Sequence, residues 1–69
     1  LALSSLSARE LQVLLLVAQG ATNPIVADEL EISRATVARY VAAILAKLGL
    51  ANRTEAAALA SKHGLLPDI

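Results

Sequence analysis

Ser33-Arg-Ala-Thr-Val-Ala-Arg-Tyr-Val-Ala-Ala-Ile-Leu-Ala-Lys-Leu-Gly-Leu50 is the stretch that decides the fold. It predicts one helix over residues 34–48, about four turns long. Ser33 is a good N-cap, and Gly49 stands where a left-handed residue would stop the helix. Val37, Val41, Ile44, Leu45 and Leu48 recur every three or four residues and form one stripe to be buried. Arg34, Arg39 and Lys47 lie off that stripe, and no acid occurs between Ile32 and Thr54. A helix packed on one side and positive on the others has the form of an element that lies in a DNA groove.

The segments on either side read as shorter helices with start and stop signals of their own. Upstream, Thr22-Asn23-Pro24 opens a helix over about 24–30, with Asn23 as cap and Pro24 in the first turn, where no N–H is needed. Val26, Ala27 and Leu30 would face inward. Glu31-Ile32-Ser33 is then a three-residue turn, and the short helix, turn and longer helix make a helix-turn-helix pattern. The glycine usual in such a turn is replaced by Glu31. Further upstream, Ser7-Ala8-Arg9-Glu10 is a capping box, and Leu6 can staple onto Leu11. The helix it opens runs over about 8–19 to Gly20, with Val13, Leu14, Val17 and Ala18 inward. Leu11, Leu15 and Leu16 make it apolar nearly all round, so one side is expected to meet something besides the core. Downstream, Asn52-Arg53-Thr54-Glu55 is a capping box in its Asn form. It starts a fourth helix over about 53–63, closed by Gly64 with Pro67 beyond.

The expected fold is therefore all-α: a four-helix bundle containing a helix-turn-helix. The expected division is a linker remnant at 1–6, one domain over 7–66, and a tail at 67–69. With 69 residues the chain suffices for one small core. It has no cysteine and one histidine, so disulfides, thiolate metal sites and His-rich metal sites are excluded. Stability must come from aliphatic packing, as 57% apolar residues with a single aromatic imply. Apolar runs such as Val13 to Ala18 are far below the roughly 20 residues of a membrane span. No membrane association, no metal and no cofactor are expected, and the expected location is the cytoplasm. The chain begins at Leu1 rather than Met, which suggests an excised piece of a longer protein.

Net charge is zero, yet the charges are segregated. Residues 1–32 set Arg9 against Glu10, Asp28, Glu29 and Glu31, a net of −3. Residues 33–53 carry Arg34, Arg39, Lys47 and Arg53 without an acid, a net of +4. Residues 54–69 set Lys62 against Glu55 and Asp68, a net of −1. Four cations are a small electrostatic footprint and predict weak, salt-sensitive DNA binding by one copy.

Taken together, the segments resemble the LuxR/GerE-type (NarL-like) DNA-binding domain at the C-terminus of many bacterial transcription regulators. The likeness is carried by Leu6-Ser7-x-Arg9-Glu10 and Val13-Leu14-x-Leu16-Val17-Ala18-x-Gly20. It continues through Asn23, Ala27, Leu30, Ile32-Ser33, Thr36-Val37, Tyr40-Val41, Ile44-Leu45 and Lys47-Leu48-Gly49, and ends with Asn52-Arg53-Thr54-Glu55-Ala56. It spans about residues 6–65 without a gap. The resemblance implies a third helix in the major groove of double-stranded DNA and a fourth helix serving as the surface of a homodimer. It also implies an upstream receiver or sensor domain, most often the receiver of a two-component response regulator. Three departures stand out. Where the family usually has Lys-Glu-Ile after the Asn of its second helix, this chain has Pro24-Ile25-Val26. Where it has a base-reaching Lys after Thr-Val, this chain has Ala38, followed by Arg39. Ala42 stands where some members carry a second such Lys.

The candidate DNA-binding residues are Asn23, Ser33, Arg34, Thr36, Arg39, Tyr40, Lys47 and Arg53. Arg39 has the donors to pair with guanine O6 and N7, the alternative being an exposed Arg paired with a nearby acid. Arg34 and the N-terminal N–H groups of the third helix suit a phosphate. Thr36 either meets DNA or bonds back toward Ser33. The Tyr40 hydroxyl suits a phosphate with its ring beside the core. Lys47 either meets a phosphate or neutralises the helix end. Arg53 opposes the dipole of the helix it begins, which hints at another use, an internal pair with a carboxylate being the alternative. Ala56, Leu59, Ala60 and His63 form a small-residue stripe that either lies at a dimer interface or packs on the first helix. Glu10 and Arg9 belong to a cap, and no Ser, His, acid or metal set converges, so an enzyme is not expected. The rival reading is a protein-interaction module of the same fold with weak or lost DNA binding. It is favoured by the neutral charge, the missing lysines and the apolar Leu15 and Ile25. A sigma-factor-like promoter-binding domain is a nearer competitor, which the fourth helix and its cap fit less well.

Overall fold

The computed structural model describes residues 5–62, which form four helices: α1 (Ala8–Ala18), α2 (Asn23–Leu30), α3 (Arg34–Leu48) and α4 (Arg53–Lys62). Residues 1–4 of the expected linker, the whole expected tail, and His63, Gly64 and Pro67 lie outside the described residues.

The helices begin where side chains can take their orphan N–H groups. At α1, Glu10 N–H donates to Ser7 Oγ at 3.2 Å, and Ser7 N–H donates to Glu10 Oε1 at 2.8 Å, which completes the capping box. At α3, Ser33 Oγ accepts the Thr36 N–H at 3.0 Å. At α4, Asn52 Oδ1 accepts the Glu55 N–H at 3.0 Å, while Glu55 reaches back one residue further than a standard box and takes the Ala51 N–H at 2.8 Å. The expected start of α2 shifts by one residue. Thr22 is the N-cap, without a side-chain bond, and Asn23 is already helical. The Asn23 side chain makes no cap and instead accepts from Arg53.

Three helices end alike, with a residue in the left-handed region followed by an N–H that returns to the carbonyl five residues back. These bonds run from Ala21 to Leu16, Ile32 to Ala27, and Leu50 to Leu45, at 3.0, 3.0 and 2.9 Å. This is the six-to-one bond of a Schellman end. Gly20 and Gly49 supply the positive φ after α1 and α3 without steric cost. After α2 it is Glu31, at φ 57° and ψ 44°, and this is the only positive-φ residue other than glycine among the described residues. The turn manages without glycine by holding an ordinary side chain in a conformation such residues avoid.

One core joins all four helices: Val13, Leu14 and Val17 from α1, Val26 and Ala27 from α2, Val37 and Ile44 from α3, and Ala56 and Ala60 from α4. Leu6, Leu11, Leu16, Leu30, Ile32, Val41, Leu45 and Leu48 pack around it half-buried, so the stripes expected on α1, α2 and α3 face inward. The most extensive pairings are α4 on α1 and α2 on α3. Alanines 56 and 60 let the α4 backbone lie close to α1. The helix-turn-helix is thus held from behind by an α1–α4 pair, leaving the far side of α3 uncovered. No described helix is long and apolar enough to cross a membrane.

Candidate nucleic-acid interface

The uncovered side of α3 follows from its periodicity. With Val37 and Ile44 pinned in the core, positions 35, 38, 39, 42 and 46 turn outward, and all five are exposed. They read Ala35, Ala38, Arg39, Ala42 and Ala46. Arg39 is the single long polar side chain on a face otherwise made of methyl groups. Beside it, an open groove of about 310 Å³ is lined by Thr36, Arg39, Tyr40 and Ala43 of α3 and by Glu10 of α1.

Each sequence candidate has a definite place. Ser33 and Thr36 are bonded to each other through their hydroxyls at 2.9 Å, besides the cap, so both are occupied in closing the first turn of α3. Arg34 is exposed at that turn and has no hydrogen-bond or ion-pair partner among the described residues. Arg39 likewise has none, although Glu10 lines the same groove. The pairing of Arg39 with a nearby acid is therefore not what the structure contains. Tyr40 packs half-buried at the core edge.

Lys47 is engaged. Its Nζ lies 2.7 Å from Glu10 Oε1, with 43% of the lysine side chain exposed against 7% of the glutamate. Glu10 thereby accepts from both the Ser7 N–H and Lys47. The lysine bond, and after it the Ser7 backbone bond, hold its carboxyl below the ordinary value of 4.5, outweighing desolvation. Sequence reading assigned Glu10 only to the cap. Nothing in the local pattern marks a partner 37 residues away.

Arg53 is engaged as well, but with neutral acceptors rather than the carboxylate considered above. One arm of its guanidinium donates to Asn23 Oδ1 at 2.6 Å, and the other donates to the Ala21 carbonyl. This fork ties the start of α4 to the entry of α2. Because Arg can only donate, the Asn23 atom facing it must be the oxygen. The Asn23 amide nitrogen is left as that side chain's remaining polar atom, and it is a donor.

The α4 stripe needs correction. Ala56 is 3% and Ala60 0% exposed, both within the chain's own core against α1. They cannot also meet a second copy. Leu59 is half-buried, and His63 lies outside the described residues. The exposed residues of α4 are Thr54, Glu55, Ala58, Ser61 and Lys62.

Over residues 4–60 the sequence matches the model of the GerE family, described as bacterial regulatory proteins of the luxR family. The chain belongs to this family. It is 42% identical over 62 residues to the transcriptional regulatory protein LiaR of Bacillus subtilis, which covers 90% of this chain and 29% of that protein. It is 42% identical over 60 residues to the DNA-binding transcriptional activator DevR/DosR of Mycobacterium tuberculosis, covering 87% and 28%. It is 39% identical over 61 residues to the response regulator protein VraR of Staphylococcus aureus, covering 88% and 29%. The chain thus spans under a third of the length of these relatives. The family is one of transcription regulators, and the resemblance read from the sequence holds together with its all-α fold.

Proposed function

We propose that this chain is the sequence-specific DNA-binding output domain of a cytoplasmic transcription regulator, with α3 lying in the major groove. The observation that carries the reading is the uncovered face of α3. Its two arginines, Arg34 and Arg39, have no partner within the protein, while the opposite face is locked in the core. Arg34 and the start of α3 meet a phosphate, and Arg39 enters the groove to read guanine. The Asn23 amide nitrogen and the Tyr40 hydroxyl add neutral donors to phosphates at the two edges. Ser33 and Thr36 support the interface by fixing the first turn. Arg53 supports it by fixing Asn23. Direct readout rests on Arg39, with the exposed alanine methyls of α3 able to meet only apolar base edges such as the thymine methyl.

The domain pairs with a second copy on two half-sites. Since Ala56 and Ala60 are spent on α1, an α4-mediated contact runs through the outer residues Thr54, Ala58 and Ser61. A receiver domain upstream, as in a response regulator, supplies control. Ile25, exposed at 51%, favours a second reading in which α2 meets a protein partner. That partner is the upstream domain of the same regulator.

A fluorescence-anisotropy titration with duplex DNA between about 50 and 200 mM salt tests the proposal. With two unpartnered arginines on α3, a shallow slope of log K on log salt is expected, on the order of −2 per bound chain. No binding at low salt, or binding without a salt slope, contradicts it.

A further inference from the structure

Four cations distinguish residues 33–53, and the structure does not leave them equally free. Lys47 is the one whose charge is cancelled, by Glu10 at 2.7 Å. The pair sits where DNA would approach, because Glu10 forms one wall of the groove that Thr36, Arg39, Tyr40 and Ala43 line. Two features make the pair firm. Glu10 is 5% exposed and is gripped from behind by the Ser7 N–H at 2.8 Å, so its carboxylate cannot swing away to release the lysine. Lys47 sits in the last turn of α3, where the helix dipole also favours the cation staying put.

We propose that Glu10 is the residue that limits the affinity of the DNA face: it holds the Lys47 ammonium as an internal substitute for phosphate, so the domain binds DNA with one phosphate contact fewer than its cations allow. The inference rests on the DNA reading above. A phosphate that takes Lys47 for itself strips a nearly buried carboxylate of its counterion, and one that shares the ammonium must approach that carboxylate. Either course sets the carboxylate charge against the polyanion, and both are unfavourable. Lys47 therefore stays on Glu10 in the complex, and base-indifferent affinity is kept low. A domain with weak phosphate binding depends more on Arg39 and on its second copy for site selection. Glu10 thus acts through Lys47, as a positioning residue, and does not itself touch DNA.

The test is E10Q, compared with wild type and with E10Q/K47Q, by salt titration against a fluorescein-labelled duplex of mixed sequence. Gln serves at the third position of a capping box, so the variant keeps its hold on Ser7 while losing the charge that binds Lys47. E10Q is expected to bind more tightly at low salt and to steepen the slope by about 0.9. That corresponds to an extra loss of about 3.5-fold in affinity between about 50 and 200 mM salt. E10Q/K47Q should return to the wild-type slope. An E10Q slope equal to or shallower than wild type, or a gain that survives in the double variant, overturns the inference while leaving the DNA reading intact. A wild-type chain that does not bind duplex overturns both. A second measurement needs no variant: the hydrogen-bond coupling between Lys47 15Nζ and the Glu10 13C carboxylate should persist when unlabelled duplex is added. Its loss on DNA binding shows the lysine transferring to phosphate and overturns the inference.

Discussion

Glu31→Gly should stabilise the domain by about 1 kcal/mol. Glu31 closes α2 at φ 57° and ψ 44°, where a residue with a Cβ is disfavoured by roughly 1–2 kcal/mol. Gly removes that cost but adds unfolded-state entropy worth about 0.4–1 kcal/mol, so relief and penalty nearly cancel at one extreme of the ranges. Two further features tip the balance. The Glu31 carboxylate follows a helix whose last turn has no basic residue, and removing an acid there contributes about 0.3 kcal/mol or more. The side chain is also exposed, with no hydrogen-bond or ion-pair partner among the described residues to lose. For a domain of this size, 1 kcal/mol raises Tm by about 4–8 °C. Thermal unfolding followed by circular dichroism measures it, with Glu31→Ala as the control that removes the charge and keeps the Cβ. The alanine variant should gain no more than about 0.5 kcal/mol. Equal gains for Gly and Ala would place the effect in the charge and refute the backbone reasoning, as would a Gly variant no more stable than wild type.

Leu14, 1% exposed and among the largest fully buried side chains, should cost about 2–5 kcal/mol when cut to Ala; urea titration should show the variant partly unfolded without denaturant. The depressed Glu10 carboxyl makes its share of stability present above the ordinary value of 4.5 and lost as pH falls through the lower folded value, since the unfolded chain takes up the proton first. Acid unfolding of E10Q should lack that component, so the difference between wild type and variant should shrink on going from pH 6 toward about pH 3. Arg39→Ala should relax preference at one or two base positions at a cost of about 1–3 kcal/mol on the preferred site, read by selection from a randomised duplex pool; equal loss on every sequence would disprove base readout.

The helices and their inward faces were legible because their signals are local. Ser7, Ser33 and Asn52 cap where they were expected to, Gly20 and Gly49 stop α1 and α3, and the three-four spacing of Val37, Ile44 and their neighbours does turn toward the core. What stayed hidden depends on residues distant in sequence. Lys47 could be placed at a helix end, but its partner Glu10 comes from α1, and a capping motif already accounted for that glutamate. Arg53 gave a usable hint, since a cation in the first turn opposes the dipole, yet its partners proved to be an amide oxygen and a carbonyl rather than an acid. The Ala56 and Ala60 pair shows the same limit from another side. Spacing states which residues share a face of α4 but not what lies opposite, and here it is α1. In the sequence Glu31 reads as a missing glycine; that the turn keeps its left-handed geometry anyway is a tertiary effect, with Ile32 packing at the core edge and returning its N–H to Ala27.

These partners also change the weight of the charge pattern. Of the cations that make residues 33–53 positive, Lys47 is paired with Glu10 and Arg53 donates to Asn23 and the Ala21 carbonyl, so only Arg34 and Arg39 have no partner among the described residues. On the proposed reading, recognition by this domain rests on shape and one arginine more than on net charge. The most direct test is to map duplex DNA onto the 15N-labelled chain by amide shift changes. Changes should concentrate in residues 33–46 and around Asn23, with the α4 residues Ala56 and Ala60 unmoved. Changes centred on Leu15 and Ile25, with α3 silent, would contradict the claim that the uncovered face of α3 is what this domain presents to DNA.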